Sequence, residues 1–302
     1  MLSINTNMMA INAARNLGIS YGNLATSVRR LSSGLRVGSA ADDAAGLAIR
    51  ELMRAEIVGL QQGVRNANDA ISLLQTADGA LAVIDEKLIR MKELAQQAAT
   101  GTYNSDQRLM IESEYQAMAS EITRIANSTD FSGTHLLNGN LSAHTGEPNP
   151  YGHDGRGLVS TGPLKIHFGT GNDSAEDYYY ISIGNSTASA LGVGNQADTE
   201  AAAYTVSTQA AAQRAVAGIT QAIISKDKIR AALGAMQNRL ENTVSVQMIQ
   251  AENTQAAESR ISDVDVSLEM TNFVRNQILT QAAVAMLAQA NSLPQMALSL
   301  IG

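Results

Sequence analysis

From Ala10 to Leu35 the residues Ala10, Ala14, Leu17, Tyr21, Leu24, Val28, Leu31 and Leu35 follow one another at alternating spacings of four and three. Such a heptad seam lays one narrow apolar stripe along a helix and leaves the other faces free. A helix cannot bury that stripe by itself, so the stretch demands a partner. The same alternation returns at the far end of the chain in Leu279, Ala283, Met286, Ala290, Leu293, Ala297 and Leu300. The charges agree: Arg15, Arg29, Arg30 and Arg36 precede the first acid, Asp42, whereas the C-terminal stretch sets Asp263, Asp265 and Glu269 against Arg275. The termini therefore read as a helix pair, and the rest of the chain as an excursion out and back.

The slim stripe fits the composition. Aromatic residues make up 4% of the 302 residues and there is no Trp, so a core must be built from Ala, Leu, Ile and Met. A net charge of −7 offers no basic surface to offset phosphate repulsion, which argues against a nucleic-acid partner. No apolar run approaches the roughly 20 residues of a membrane span, so no membrane insertion is expected. The first residues lack a basic region followed by an apolar one, so no cleavable secretory signal is expected. With no cysteine there are no disulfides and no Cys-ligated zinc.

Between the ends, Gly34, Gly38, Ser39, Asp42 and Asp43 interrupt the helical pattern, and Asp42 or Asp43 can cap the next helix. From Ala44 to about Ala99 one long helix is predicted. Met53, Ile57, Leu60, Val64, Ala67, Ile71 and Leu74 keep the heptad, and Ala77, Leu81, Ile84, Leu88, Met91 and Ala95 resume it after one residue is lost near Asp78. At 1.5 Å per residue this is a rod of roughly 80 Å. Asn104 with Gln107 reads as a capping box opening a second helix striped by Ile111, Tyr115, Met118, Ile122 and Ile125. From Thr129 to Tyr204 the chain turns to Gly, Asn and Ser and holds all four histidines. There LKIHF (164–168) and YYYISI (178–183) predict a β-hairpin with a long loop, leaning on the helices. A last long helix runs from about Thr208 to Arg260, striped by Ile229, Leu233, Met236, Leu240 and Val244. The predicted fold is mostly α: a long antiparallel helical bundle or coiled coil formed by the two termini, with a small outer lobe containing a β-hairpin.

Catalytic templates are absent: there is no H-E-x-x-H, no G-x-x-x-x-G-K-[ST] and no G-x-S-x-G. His144, His153 and Asp154 lack a tight ligand spacing, so neither metal nor cofactor is expected. Asp173, Glu176 and Asp177 lack the order of a calcium loop. Asp42 and Asp43 are helix caps rather than an acid/base pair. Four arginines and no lysine in the first 41 residues make a poor polar face for a membrane-bound helix. Rods with apolar stripes at both ends suit stacking of identical subunits, and a contact that does not close on itself generates a helical filament.

MLSINTNMMAINAARNL (1–17), RLSSGLRVGSAADDAAGLAIRELMRAEI (30–57) and RMKELAQQAATGT (90–102) resemble the N-terminal signature of bacterial flagellin. ALGAMQNRLENTV (232–244), ESRISDVD (258–265) and ILTQAAVAMLAQANSLPQMALSLI (278–301) resemble its C-terminal signature. The resemblance implies that residues 1–43 and 261–302 form the two halves of the filament's inner-tube coiled coil. Residues 44–128 and 208–260 would form the halves of a helical wall domain, with 129–207 a short variable middle. On this reading Leu17, Tyr21, Leu24, Val28, Leu31, Leu35, Leu279, Met286, Leu293 and Leu300 carry the inner-tube seam. It further implies a secreted, extracellular subunit, exported unfolded through the flagellar type III export apparatus, with a dedicated chaperone on its C-terminal helices. Filament cap and junction proteins would be further partners. Arg90, Leu94 and Glu114 resemble the positions contacted by animal Toll-like flagellin receptors, and Ser182, Ser186, Thr187 and Ser189 are candidate glycan acceptors. The alternatives are a hook–filament junction protein and, from another class, a metal-binding or enzymatic middle lobe.

Overall fold

The computed structural model describes residues 7–142, 162–174, 176–194 and 204–301. Its elements run α1 (Met8–Ser33), α2 (Ala44–Ala99), α3 (Ser105–Ser128), β1 (Asp130–Phe131), β2 (Thr134–His135), β3 (Leu164–His167), β4 (Tyr178–Ile181), α4 (Gln209–Ser262) and α5 (Val266–Ile301). The mostly helical architecture with a small hairpin lobe is the one the periodicity predicts. The chain divides into two compact units, Met1–Ile57 with Glu252–Gly302, and Val58–Ala251.

In the second unit the predicted stripe of α2 is buried at Ala67, Leu74, Ala77, Leu81, Ile84, Leu88, Met91 and Ala95, with Ile71 partly buried against the same core. The heptad thus stays buried across the lost residue. The α3 capping box forms as expected: the Asn104 side chain accepts from the Gln107 backbone N–H (2.8 Å), and the Gln107 side chain accepts from that of Asn104 (3.1 Å). Ile111, Tyr115, Ile122 and Ile125 then face the same core, with Met118 partly buried against it. Burial raises the Tyr115 phenol above its ordinary range, with the Glu112 carboxylate adding to the effect.

A buried cation interrupts this apolar contact. Lys226 occupies a heptad position of α4 between Ala222 and Ile229, yet is fully buried. Its Nζ donates to Asp85 Oδ1 (2.6 Å) and Asp227 Oδ1 (2.7 Å). One turn further along α4, Arg230 forms a two-bond fork with Asp78 (2.7 and 3.1 Å). That fork holds the Asp78 carboxyl below its usual range. Asp78 and Asp85 are seven residues apart on α2, so the two ion pairs form a ladder at the place where the heptad slips.

The lobe leans on these helices. β1 and β2 make a tight hairpin whose turn residues Ser132 and Gly133 both have positive φ, 51° and 84°. β3 and β4 pair antiparallel, Leu164 with Ile181 and His167 with Tyr178. Leu136, Leu137, Leu141, Ile181, Ile183 and Val193 are buried in the core cluster of the long helices. At the end of β3, Gly63 of α2 lies so close that a Cβ there would collide with the Phe168 carbonyl oxygen. That oxygen accepts from Gln247 Nε2 (2.6 Å), and the His167 carbonyl accepts from Asn66 Nδ2 (2.8 Å). Arg239 stacks on the Tyr179 ring at 3.6 Å.

Candidate assembly surface

In the first unit, Asn7 caps α1 by accepting from the Ala10 N–H (3.1 Å), while its Nδ2 donates to the Ala290 carbonyl of α5 (2.7 Å). At the other end α1 stops at Gly34, which takes the left-handed φ of 72° and donates its N–H to the Arg30 carbonyl. Leu35 then bridges antiparallel to Asp263. Arg36 Nη2 donates to the Ile261 carbonyl (2.8 Å), filling an acceptor at the C-terminus of α4. Arg50, nearly buried, donates to the Val37 carbonyl (2.7 Å). Asp43 caps α2 by accepting from the Gly46 N–H. Asp42 does not cap. It accepts from the Ser39 N–H and hydroxyl and pairs with Arg29 (2.8 Å), and the Ser39 bond above all lowers its pKa. The stretch between α1 and α2 is therefore a braced joint rather than a slack linker.

The joint fixes how α1 and α5 face each other. The half-buried or buried line on α1 is Ala10, Ala13, Leu17, Ser20, Leu24, Ser27 and Leu31. On α5 it is Glu269, Phe273, Asn276, Thr280, Ala283, Leu287 and Ala290. Both are heptad lines, and Glu269 at the start of the α5 line pairs with Arg30 beside the α1 line (3.7 Å). Of the expected seam, Ala10, Leu17, Leu24, Leu31, Ala283 and Ala290 lie on these lines, and Leu35 is half-buried in the joint. Tyr21 (54% exposed), Val28 (49%), Leu279 (48%) and Met286 (65%) do not; they face away. The side chains of Leu293 and Leu300 lie outside the described residues. On α1 the pairing thus uses the small residues Ala13, Ser20 and Ser27 at alternate positions and leaves a second apolar stripe uncovered. Met8, Met9, Ile11 and Ile19 of α1 and Val266, Leu268, Val274, Ile278 and Val284 of α5 are exposed as well. An uncovered apolar surface of this extent marks an interaction face.

The bacterial flagellin N-terminal helical region matches residues 4–142, and the bacterial flagellin C-terminal helical region matches residues 216–301. The chain belongs to the bacterial flagellin family. It is similar to the flagellar filament 33 kDa core protein of Treponema phagedenis, 41% identical over 298 residues and 99% of each chain. Similarity to the flagellin of Halalkalibacterium halodurans is 40% over 298 residues, again 99% of each. The crystal structure of Bacillus cereus flagellin aligns over 64% of this chain and 94% of that chain, at 27% identity and a TM-score of 0.46. As a flagellin the chain is a structural protein of the flagellar filament and not an enzyme. Among the described residues no group of three or more His, Asp or Glu is arranged to hold a metal ion, and no helix is long and apolar enough to cross a membrane. His144, His153 and Asp154 lie outside the described residues.

The other residues singled out by resemblance fall in the second unit. Arg90 of α2 donates twice to Glu114 of α3 (2.8 and 3.0 Å) and once to Glu93, on an exposed surface. Leu94, 2% exposed, points into the core instead, so its side chain is not presented to a partner. Ser182 and Ser189 are exposed and Thr187 is half-buried. Ser186 is fully buried with its hydroxyl on the Gly184 carbonyl, which leaves no room for a sugar and removes it from the candidate acceptors. Sequence reasoning missed Lys226, a charge at a core heptad position, and the bracing roles of Arg36 and Arg50. The lysine's place inside the stripe was the available signal.

Proposed function

We propose that this flagellin is the main subunit of the filament and polymerises through the apolar stripe that α1 and α5 leave uncovered. The supporting observation is the double use of the terminal helices: one heptad line of each is spent within the chain, and the adjacent one faces outward. A second copy is the natural cover for both, since a contact repeated without closure builds a filament. In this reading residues 1–43 with 261–302 line the inner tube, 44–128 with 208–260 form the wall, and 129–207 face outward. Export through the flagellar type III channel, with a chaperone covering α5 beforehand, accounts for how such a face stays soluble before assembly.

Electron microscopy after a polymerisation trial tests the reading, with the full-length chain beside one trimmed to residues 44–260. Long uniform tubes are expected from the first and none from the second, and added chaperone should delay tube growth. Tubes from the trimmed chain would sink the proposed surface. If neither chain forms tubes, the hook–filament junction protein becomes the better reading.

Recognition by an animal Toll-like flagellin receptor is supported by the exposed Arg90–Glu114 pair, with Leu94 acting only by packing beneath it. In a receptor reporter assay Arg90→Ala is expected to weaken signalling at least several-fold. Unchanged signalling would remove this face as the contact.

A further inference from the structure

The chain holds 12 methionines and no cysteine, so thioethers are its oxidisable sulfur. Methionine is a core filler in most proteins, but here Met91 is the one methionine among the fully buried core residues described. On the terminal helices the side chains stand outside. Met8 and Met9 on α1 and Met286 on α5 are 60%, 65% and 65% exposed. The Asn7–Ala290 hydrogen bond brings the start of α1 to the α5 turn just past Met286, so the three share one end of the helix pair. None lies on the line by which α1 and α5 hold each other. A change at these sulfurs therefore leaves the chain's own fold alone and alters only what docks against it.

We propose that Met8, Met9 and Met286 form an oxidant-sensitive modification site that controls assembly, a proposal that rests on the assembly surface described above. A peroxide is the co-reactant. A sulfur lone pair attacks one peroxide oxygen, the O–O bond breaks, and the departing hydroxide takes up the remaining proton as water. The thioether is oxidised to a sulfoxide, and the peroxide is reduced. The sulfoxide oxygen is a strong hydrogen-bond acceptor on a side chain that was apolar. Pressed against a neighbour's apolar stripe without a donor, it opposes the contact. In the assembled polymer the same sulfurs are covered, so an unassembled chain is the vulnerable form. Reduction by a methionine sulfoxide reductase, with an external dithiol giving two electrons and two protons and becoming a disulfide while the oxygen leaves as water, restores the thioether and makes the block reversible.

The test treats full-length chain with hydrogen peroxide, maps sulfoxides by peptide mass spectrometry, and tracks helicity by circular dichroism and assembly by light scattering and microscopy. Treated chain is expected to keep its helicity and to need at least about tenfold more protein to polymerise. A Met8→Leu/Met9→Leu/Met286→Leu chain should polymerise equally with and without peroxide, although Met110, Met248, Met270 and Met296 remain exposed in it. Unchanged polymerisation of oxidised wild-type chain overturns the proposal, as does equal inhibition of the triple variant. Should the triple variant fail to assemble untreated, a Met110→Leu/Met248→Leu/Met270→Leu/Met296→Leu chain decides: inhibition by peroxide that persists in it upholds the site, and inhibition that disappears overturns it. Failure of untreated wild-type chain to form tubes sinks the assembly reading itself, so the two ideas fail separately.

Discussion

Asp85→Ala is expected to destabilise the second unit by roughly 3 kcal/mol, toward the low end of the range for breaking a buried ion pair. The substitution removes an acceptor 2.6 Å from Lys226 Nζ and leaves a buried ammonium paired with Asp227, whose side chain is largely exposed. The cost lies in the stranded charge, not in lost contact. Removing the charge as well should therefore undo most of the damage: Lys226→Met fills the heptad position with an apolar side chain of similar length and is expected to be neutral or stabilising. The double variant should sit near Lys226→Met. Thermal unfolding read by circular dichroism would give a fall of roughly 6–12 °C for Asp85→Ala in a unit of this size. A loss under about 1 kcal/mol would mean that water or Asp227 already satisfies the lysine.

The second large effect separates the two stripes of α1. Leu24→Asp places a carboxylate on the line that faces α5, and Tyr21→Asp places one on the line that faces outward. Both are expected to abolish polymerisation, because each puts a charge where an apolar contact must form. They should differ in the unassembled chain. Leu24→Asp loosens the α1–α5 pair, so amide hydrogens of both helices exchange faster, while the long helices of the second unit stay protected. Tyr21→Asp leaves exchange as in wild type. Normal filaments from Tyr21→Asp would show that the outward stripe is not an assembly contact. Normal filaments from Leu24→Asp would show that the pair itself is dispensable.

Much of this was legible in the chain because the signals were local. The α3 cap needed Asn104 and Gln107 three residues apart and nothing else. The hairpin needed two strand-like runs flanking a turn-rich loop. Burial of side chains through the phase slip at Asp78 came from counting threes and fours. What escaped was set at long range. Ser186 sits in a stretch of small polar residues that reads as a surface loop, but packing over it excludes a sugar. Leu94 matched a recognition pattern by position while its side chain went to the core. Lys226 shows in the chain only as a charge within an apolar stripe, and the carboxylate that lets it stay buried lies 141 residues away.

Composition, periodicity and capping by themselves determined which stretches are helical, where those helices begin and end, and that the termini need partners. Tertiary structure alone decided which side of each terminal helix turns inward. Neighbouring residues on a helix lie about 100° apart. One α1 therefore carries two heptad lines that share Ala10, Leu17, Leu24 and Leu31 and differ between them. The inward line adds Ala13, Ser20 and Ser27, the other Ala14, Tyr21 and Val28, and an apolar count favours the second set. The choice falls to the rotation imposed by the Leu35–Asp263 bridge and the Arg36 contacts, which clamp residues more than 220 positions apart. Under that clamp the small side chains Ala13, Ser20, Ser27, Thr280 and Ala283 are the ones that let the two backbones approach, and the larger apolar residues are left for a neighbour.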